Sequence, residues 1–310
     1  MEFSHKTVLL DEAVRLLHIK PDGIYLDGTL GGGGHSEAIL EQLTTGTLIG
    51  VDQDTDALAA ASKRLERFGE RFVPVHSNFS DVKNVLKDLE LDGIDGAILD
   101  LGVSSYQLDE GERGFSYMQD GPLDMRMDRT RTLSAAVVLN DYSEDHIYKI
   151  IRDYGEEKWA KRIAAFIVAS RAEKPIETTE ELVRIIKQAV PAKARQDGPH
   201  PAKRTFQAIR IEVNNELGVL ETALADFVQC MNPGGRLGII TFHSLEDRIV
   251  KQTFREMARS CVCPPELPVC MCNTVPLVRV ITRKAIEPSA LEVEENPRAR
   301  SARLRGAEKI

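Results

Sequence analysis

The chain has 310 residues, 42% of them hydrophobic and 28% charged, with a net charge of −8. That length buries a full core and suits one large domain or two modest ones, and the acidic balance argues against a generic nucleic-acid coat. No apolar run reaches the roughly 18 residues that a bilayer crossing needs, and Met1-Glu-Phe-Ser-His-Lys6 lacks the basic end and apolar block of a signal peptide. A cytoplasmic location without a membrane partner is expected.

Strand and helix signals alternate over the first hundred residues. Ile24–Asp27 is a short apolar run ending in an acid and a glycine cluster, and a helix follows near Ser36–Leu43. Thr47–Asp52 reads as a second strand, Ala57–Phe68 as a helix, and Arg71–His76 as a third strand. Val82–Leu89 is an expected helix and Gly96–Asp100 a fourth strand. Strands spaced by helices imply right-handed βαβ units and a parallel sheet.

The pattern breaks from about 108 to 204. Tyr148–Arg152, Lys158–Arg171 and Thr179–Ala189 look amphipathic, Pro191–Lys203 reads as a loop, and no core strand shows. The α/β pattern resumes with Phe206, Ile209, Val213, Leu217, Leu220, Leu224 and Phe227, which recur at helical spacing as one long buried stripe. Pro233–Phe242 is a turn feeding a strand and Leu245–Ala258 a helix, while Val278–Thr282 and Ala299–Leu304 are expected as closing strands. The expected architecture is α/β. A doubly wound, mostly parallel sheet spans 1–107 and 205–310, interrupted at 108–204 by an all-helical insertion.

Charge is uneven along this plan. Arg126 to Arg210 holds 17 lysines and arginines against 12 acids, and Asn296 to Lys309 holds five against one. Such local excess binds phosphates even on an acidic protein, although each residue taken alone reads first as a solvated helix face.

The strongest local feature is Asp27-Gly-Thr-Leu-Gly-Gly-Gly-Gly-His35, directly after a strand. Glycines let a backbone approach a ligand closely, and the next helix offers unpaired N–H groups to an anion such as phosphate or a methionine carboxylate. A P-loop needs Lys-Ser/Thr after its last glycine, and His35-Ser36 stands there instead. The dinucleotide spacing G-x-G-x-x-G fails in both frames, at Ser36 and at Glu37, which demotes ATP and NAD. The loop looks like motif I of class I methyltransferases, with Thr29 in place of the first glycine. Asp52, ending the second strand, is placed to accept ribose hydroxyls; its other reading is an ordinary capping acid. Phe79, after the third strand, reads either as a face for adenine or as a core residue.

The fourth strand ends in Asp100-Leu-Gly-Val-Ser-Ser105. Amine methyltransferases on this fold carry D/N/S-P-P-aromatic here; Asp100 matches the first place, and the Pro-Pro-aromatic is absent. An aromatic amine is a poor nucleophile because its lone pair is delocalised, so an acceptor on its N–H assists attack. Asp100 is one such acceptor and Ser104 or Ser105 an orienting group, while Asp100 equally suits the cofactor alone.

The chain resembles the bacterial small-subunit rRNA methyltransferase H family, also called MraW. The resemblance rests on His5-x-x-Val-Leu-Leu-x-Glu12, Asp27-Gly-Thr-x-Gly-x-Gly-Gly-His-Ser36, Asp100-Leu-Gly-Val-Ser-Ser105 with Gln107-Leu, and Arg113-Gly-Phe-Ser116. It continues through Pro122-Leu-Asp-Met-Arg-Met127, Arg204-Thr-Phe-Gln-Ala-Ile-Arg-Ile211 with Val213-Asn-x-Glu216, and Phe242-His-Ser-Leu-Glu-Asp-Arg248. It implies a class I, Rossmann-like domain that transfers methyl from S-adenosylmethionine to the exocyclic N4 of a cytosine in the decoding region of 16S rRNA. It also implies that the helical insertion helps hold substrate. By motif match, Gly33, Gly34, His35, Asp52, Phe79, Asp100 and Gln107 would bind cofactor, with Asp100 and Ser104 at the chemistry. Arg210, Asn214, His243 and Glu246 would border the substrate, although Arg210 and Asn214, one helical turn apart, equally suit a bracing role. The implied partner is small-subunit rRNA or the 30S particle, and a homodimer is left open. Competing readings are methylation of DNA, another RNA or protein, a nicotinamide oxidoreductase on the same sheet, and a non-catalytic RNA-binding assembly factor.

Four of the five cysteines fall in one window, Cys261-x-Cys263 and Cys270-x-Cys272. They suit either a structural four-thiolate zinc site of unusually tight spacing or reduced surface thiols. No catalytic metal is expected.

Overall fold

The computed structural model describes residues 7–196, 198, 200–264 and 271–310. It divides into an α/β unit, Met1–Gly102 with Leu217–Ile310, and a helical unit, Val103–Glu216.

The α/β unit is built on seven strands: β1 (Ile24–Asp27), β2 (Thr47–Asp52), β3 (Phe72–His76), β4 (Ile94–Asp100), β5 (Met231–Thr241), β6 (Val278–Val280) and β7 (Arg303–Lys309). Their order is β3-β2-β1-β4-β5-β7-β6. β1 to β5 run parallel, and β7 lies antiparallel to both β5 and β6. This is the expected doubly wound, mostly parallel sheet. Its strands read as near-continuous apolar runs because both faces are covered. Leu26, Ile49, Val51, Ala97, Leu99, Leu237 and Ile239 pack on one face with the helices Val82–Asp88, Glu216–Cys230 and Ser244–Met257. Their neighbours Tyr25, Leu48, Ile98, Ile240 and Leu304 pack on the other with Leu10–Leu17, Gly34–Gln42 and Thr55–Leu65. The alternation follows the two-residue period of a strand. Strand order reverses between β1 and β4, so their following loops diverge and open a crevice at the carboxyl edge. Asp27, Asp52 and Asp100 end β1, β2 and β4 at that edge.

The helical unit has its own core. Val138, Leu139, Ile147, Ile151, Ile163, Ile167, Leu182, Ile186, Phe206 and Ile209 are among its buried members. Three of its helices begin at side-chain caps where Ser134, Ser143 and Thr178 each accept a first-turn N–H, and Thr178 closes a capping box with Glu181.

Three expectations need correction. The stripe from Phe206 to Phe227 is not one helix. Asn215 adopts a left-handed conformation (φ 51°) and separates Lys203–Asn214 from Glu216–Cys230. Phe206, Ile209 and Val213 enter the helical core, while Leu220, Leu224 and Phe227 enter the α/β core. The boundaries accordingly lie at 102/103 and 216/217, not at 107/108 and 204/205. The last strand is Arg303–Lys309, since Pro297–Ser301 forms a 3-10 turn where Ala299–Leu304 was expected to be extended.

Candidate functional site

The glycine loop after β1 is held by two acids. Asp27 accepts the Thr29 N–H at 3.1 Å and the Ser36 hydroxyl at 2.7 Å, which ties the strand end to the helix beyond the loop. Asp52 accepts the Gly31 N–H at 2.9 Å on one oxygen and the Asp54 N–H at 2.9 Å on the other. The Thr29 hydroxyl accepts the Asp100 N–H at 2.5 Å, fixing the end of β4 against the same loop. Gly31 (φ 49°) and Gly33 (φ 76°) adopt left-handed conformations that favour glycine. Gly34 is required differently: a Cβ there would collide with Thr7 Oγ1.

The electrostatics of this loop are unusual. Burial pushes the Asp27 and Asp52 carboxyls up to about 6 each. Asp100 is held well above the usual carboxylate range by burial and by the negative charges of Asp27 and Glu246. Its side chain keeps a quarter of its exposure, yet Oδ1 is enclosed and has no hydrogen-bond partner among the described residues. His35 offers no compensating charge. Burial lowers it to about 4, so it is neutral at physiological pH. Its Nε2 lies 3.1 Å from the Val8 carbonyl, while Nδ1 stands 3.8 Å from Asp100 Oδ2, beyond hydrogen-bond range. The influences on Asp27 and Asp100 are burial, other carboxylates and neutral donors, with no cation among them.

Two further predicted residues lie just past β5. His243 caps the helix Ser244–Met257 in a capping box with Glu246, whose Oε2 accepts the Phe242 N–H at 2.9 Å. His243 Nε2 is 3.1 Å from Glu246 Oε1, at an angle that makes no hydrogen bond. Phe79 is partly buried against the core cluster of Leu26, Leu99 and Phe227, its core reading.

The other predicted residues belong to the helical unit. Ser104 caps the short helix Ser105–Asp109 by accepting the Gln107 N–H, and the Gln107 side chain accepts the Ser104 N–H at 3.0 Å. Arg210 forms a two-point ion pair with Glu216, both contacts at 2.8 Å. Asn214 is buried, donating to the Met125 and Arg210 carbonyls and accepting the Met127 N–H. It braces the loop around Met125, which is itself left-handed (φ 58°).

Sequence reasoning passed over Thr29 and Ser36, which join Asp27 to the rest of the edge, and the wholly buried Arg113, which donates to the Arg126 and Met127 carbonyls. All three stand inside quoted motifs, so their positions were visible and their partners were not.

The family model of the MraW methylase family matches residues 2–310. The chain belongs to that family. Among curated relatives, a protein of Clostridioides difficile (strain 630) named ribosomal RNA small subunit methyltransferase H is 59% identical over 311 residues, with the whole of each chain covered. Two of the same name from Clostridium botulinum, strains 657 and Kyoto, are each 57% identical over the whole of both chains. Among the described residues no helix is long and apolar enough to cross a membrane.

Proposed function

We propose that this chain transfers a methyl group from S-adenosylmethionine to the exocyclic N4 of a cytosine in small-subunit rRNA, in the decoding region. Family membership supports the reaction class, and the full-length relatives carry the rRNA methyltransferase name. The observation that carries the reading is the enclosed, unpartnered Asp100 Oδ1 at the end of β4, beside acids that no cation offsets.

These residues fit the cofactor. Its sulfonium and ammonium would supply the positive charge that Asp27, Asp52 and Asp100 lack, and its methyl would be the electrophile. Asp52 uses one lone pair on each oxygen for backbone N–H groups, which leaves capacity for ribose hydroxyls.

Asp100 accepts an N–H of the cytosine amine, which helps its lone pair localise as the carbon–nitrogen bond forms. It then takes the proton that the amine loses. A carboxylate whose pKa is raised by burial is a stronger proton acceptor than one in water. Neutral His35 leaves that capacity intact, because it places no positive charge beside Asp100.

A cytosine inside a duplex has its amine paired and its faces stacked, so the base enters the crevice unpaired or flipped. With no Pro-Pro-aromatic platform after Asp100, placement relies on contacts elsewhere on a folded RNA, the role assigned to the helical unit. The test compares initial methyl transfer to cytidine, a short single strand and small-subunit particles. Particles are expected to react far faster than the other two. Equal efficiency on all three contradicts the proposal.

A further inference from the structure

The helix Ser244–Met257 and β6 are joined by a loop, residues 258–277, closed at its base where the Leu277 N–H donates to the Met257 carbonyl at 2.8 Å. The described residues of this segment are not held together by apolar burial. Its described hydrophobic side chains Val262, Met271, Val275 and Leu277 are 59%, 77%, 73% and 49% exposed. A segment without a core of its own needs another source of order, as small domains obtain from metals or disulfides.

Three thiols converge inside it. The sulfurs of Cys261, Cys263 and Cys272 lie within 4.8 Å of one another. Cys261 and Cys272 Sγ are 3.8 Å apart, nearly twice a disulfide bond. Sulfurs bound at about 2.3 Å at the corners of a tetrahedron around zinc stand roughly 3.8 Å apart, so this separation is a tetrahedral edge. A second observation is independent of the spacing: hydrogen-bond donors of the loop point at the sulfurs. The Val262 N–H and the Thr274 hydroxyl donate to Cys272 Sγ, the Cys263 N–H to Cys261 Sγ, and the Met271 N–H to Cys263 Sγ, at 3.1–3.4 Å. Donors aimed at sulfur stabilise thiolate over thiol, as the outer shell of a thiolate–metal centre does.

We infer that Cys261, Cys263 and Cys272 are ligands of a structural zinc ion. Cys270 lies outside the described residues. An all-sulfur donor set selects zinc over the hard cations. Each ligating thiol releases its proton to solvent, with no change of oxidation state, so zinc affinity falls as pH falls.

The test is metal content of the full chain, grown with added zinc chloride and purified under reducing conditions without chelator. The expected content is about one zinc per chain. Exchange with cobalt chloride should produce a thiolate-to-cobalt charge-transfer band. Cys263→Ser and Cys272→Ser should each lower zinc content about tenfold and abolish the band. Cys230→Ser, in the helix Glu216–Cys230, should change neither. Because zinc and cobalt are read on the unaltered chain, a misfolded variant does not shield the inference. Unaltered protein that holds no zinc after dialysis against zinc chloride and shows no cobalt band overturns it. So does a Cys230→Ser variant that loses the band as fully as Cys272→Ser.

Discussion

Asp100 in the α/β unit and Asp124 in the helical unit are carboxyls of the same chain in opposite physical states. Burial pushes Asp124 upward, but hydrogen bonds and charge from Arg126, at 2.6 and 2.9 Å, outweigh it and hold the group below the usual carboxylate range. Burial acts on Asp100 with nothing to offset it, and two further acids add to its effect. The contrast extends beyond the pair. The helical unit closes its charges locally, as Arg210 with Glu216, Lys149 with Asp145 and Arg152 with Asp153. At the crevice edge of the α/β unit, no described cation acts on Asp27, Asp52 or Asp100. A satisfied network marks a scaffold, and an unsatisfied one marks a place where a ligand completes the structure.

The sharpest way to break this comparison is Asp100→Asn. Loss of a proton acceptor is expected to slow methyl transfer about 100-fold or more. Thermal unfolding should hold steady or shift upward, because an uncompensated buried acid is removed. Equal losses in both measurements would make Asp100 a structural acid like Asp124. Asp52→Ala comes next. Loss of a charge-assisted contact of about 1.5–3 kcal/mol predicts roughly 10- to 150-fold weaker S-adenosylmethionine binding by calorimetry. Unchanged affinity in a folded variant removes Asp52 from the site. NAD should show no binding in the same experiment.

Asn214→Ala probes the satisfied side. It strands the Met127 N–H and the Met125 carbonyl inside the helical unit, at a cost of about 2–3 kcal/mol in urea unfolding. A loss of activity without a loss of stability would instead return Asn214 to the substrate face.

The pH dependence separates ligand from fold. Carboxyls raised to about 6 hold more protons folded than unfolded between roughly pH 4 and 6, so their contribution to stability declines as pH rises through that window. His35, lowered to about 4, works the other way, its contribution being lost as pH falls from 6.5 toward 4. The difference in melting temperature with and without cofactor bypasses this opposition. It should shrink as pH drops below about 6, with affinity falling by up to about tenfold per pH unit for each acid that must ionise. A flat profile from pH 8 to 5 would show that the acids do not receive the cation.

The smallest effect concerns the basic excess of the helical unit. Arg184, Lys187, Lys193 and Lys203 are exposed and make no ion pair with a described residue. Replacing all four with alanine should lower the salt slope of rRNA binding by up to about 3, since each phosphate contact releases counterions. An unaltered slope gives the unit another purpose.

Much of this was legible in the chain. The strands of the α/β unit stood out because apolar runs ending in Asp27, Asp52 and Asp100 recur between helical patterns, and the acids of the crevice edge follow from those ends. The division at Asn215 did not show: the glycine within the stripe, Gly218, sits inside the second helix, no proline interrupts it, and the left-handed backbone of an exposed asparagine turns the chain from one core into the other. β7 was displaced because alternating small residues near Ala299 look extended while Pro297 starts a 3-10 turn. At the site, motif matching located Asn214 but not its partners, since the loop around Met125 lies almost ninety residues away in sequence.

The central claim is that Asp100 carries methyl transfer to a cytosine amine of small-subunit rRNA. Its most direct test is mass spectrometry of that rRNA from cells lacking this protein, complemented with the unaltered chain or with Asp100→Asn at equal abundance. The account predicts a cytidine methylated at N4 with the unaltered chain and its loss with Asp100→Asn. Full methylation by the variant, or no dependence of any N4-methylcytidine on the unaltered chain, would contradict it.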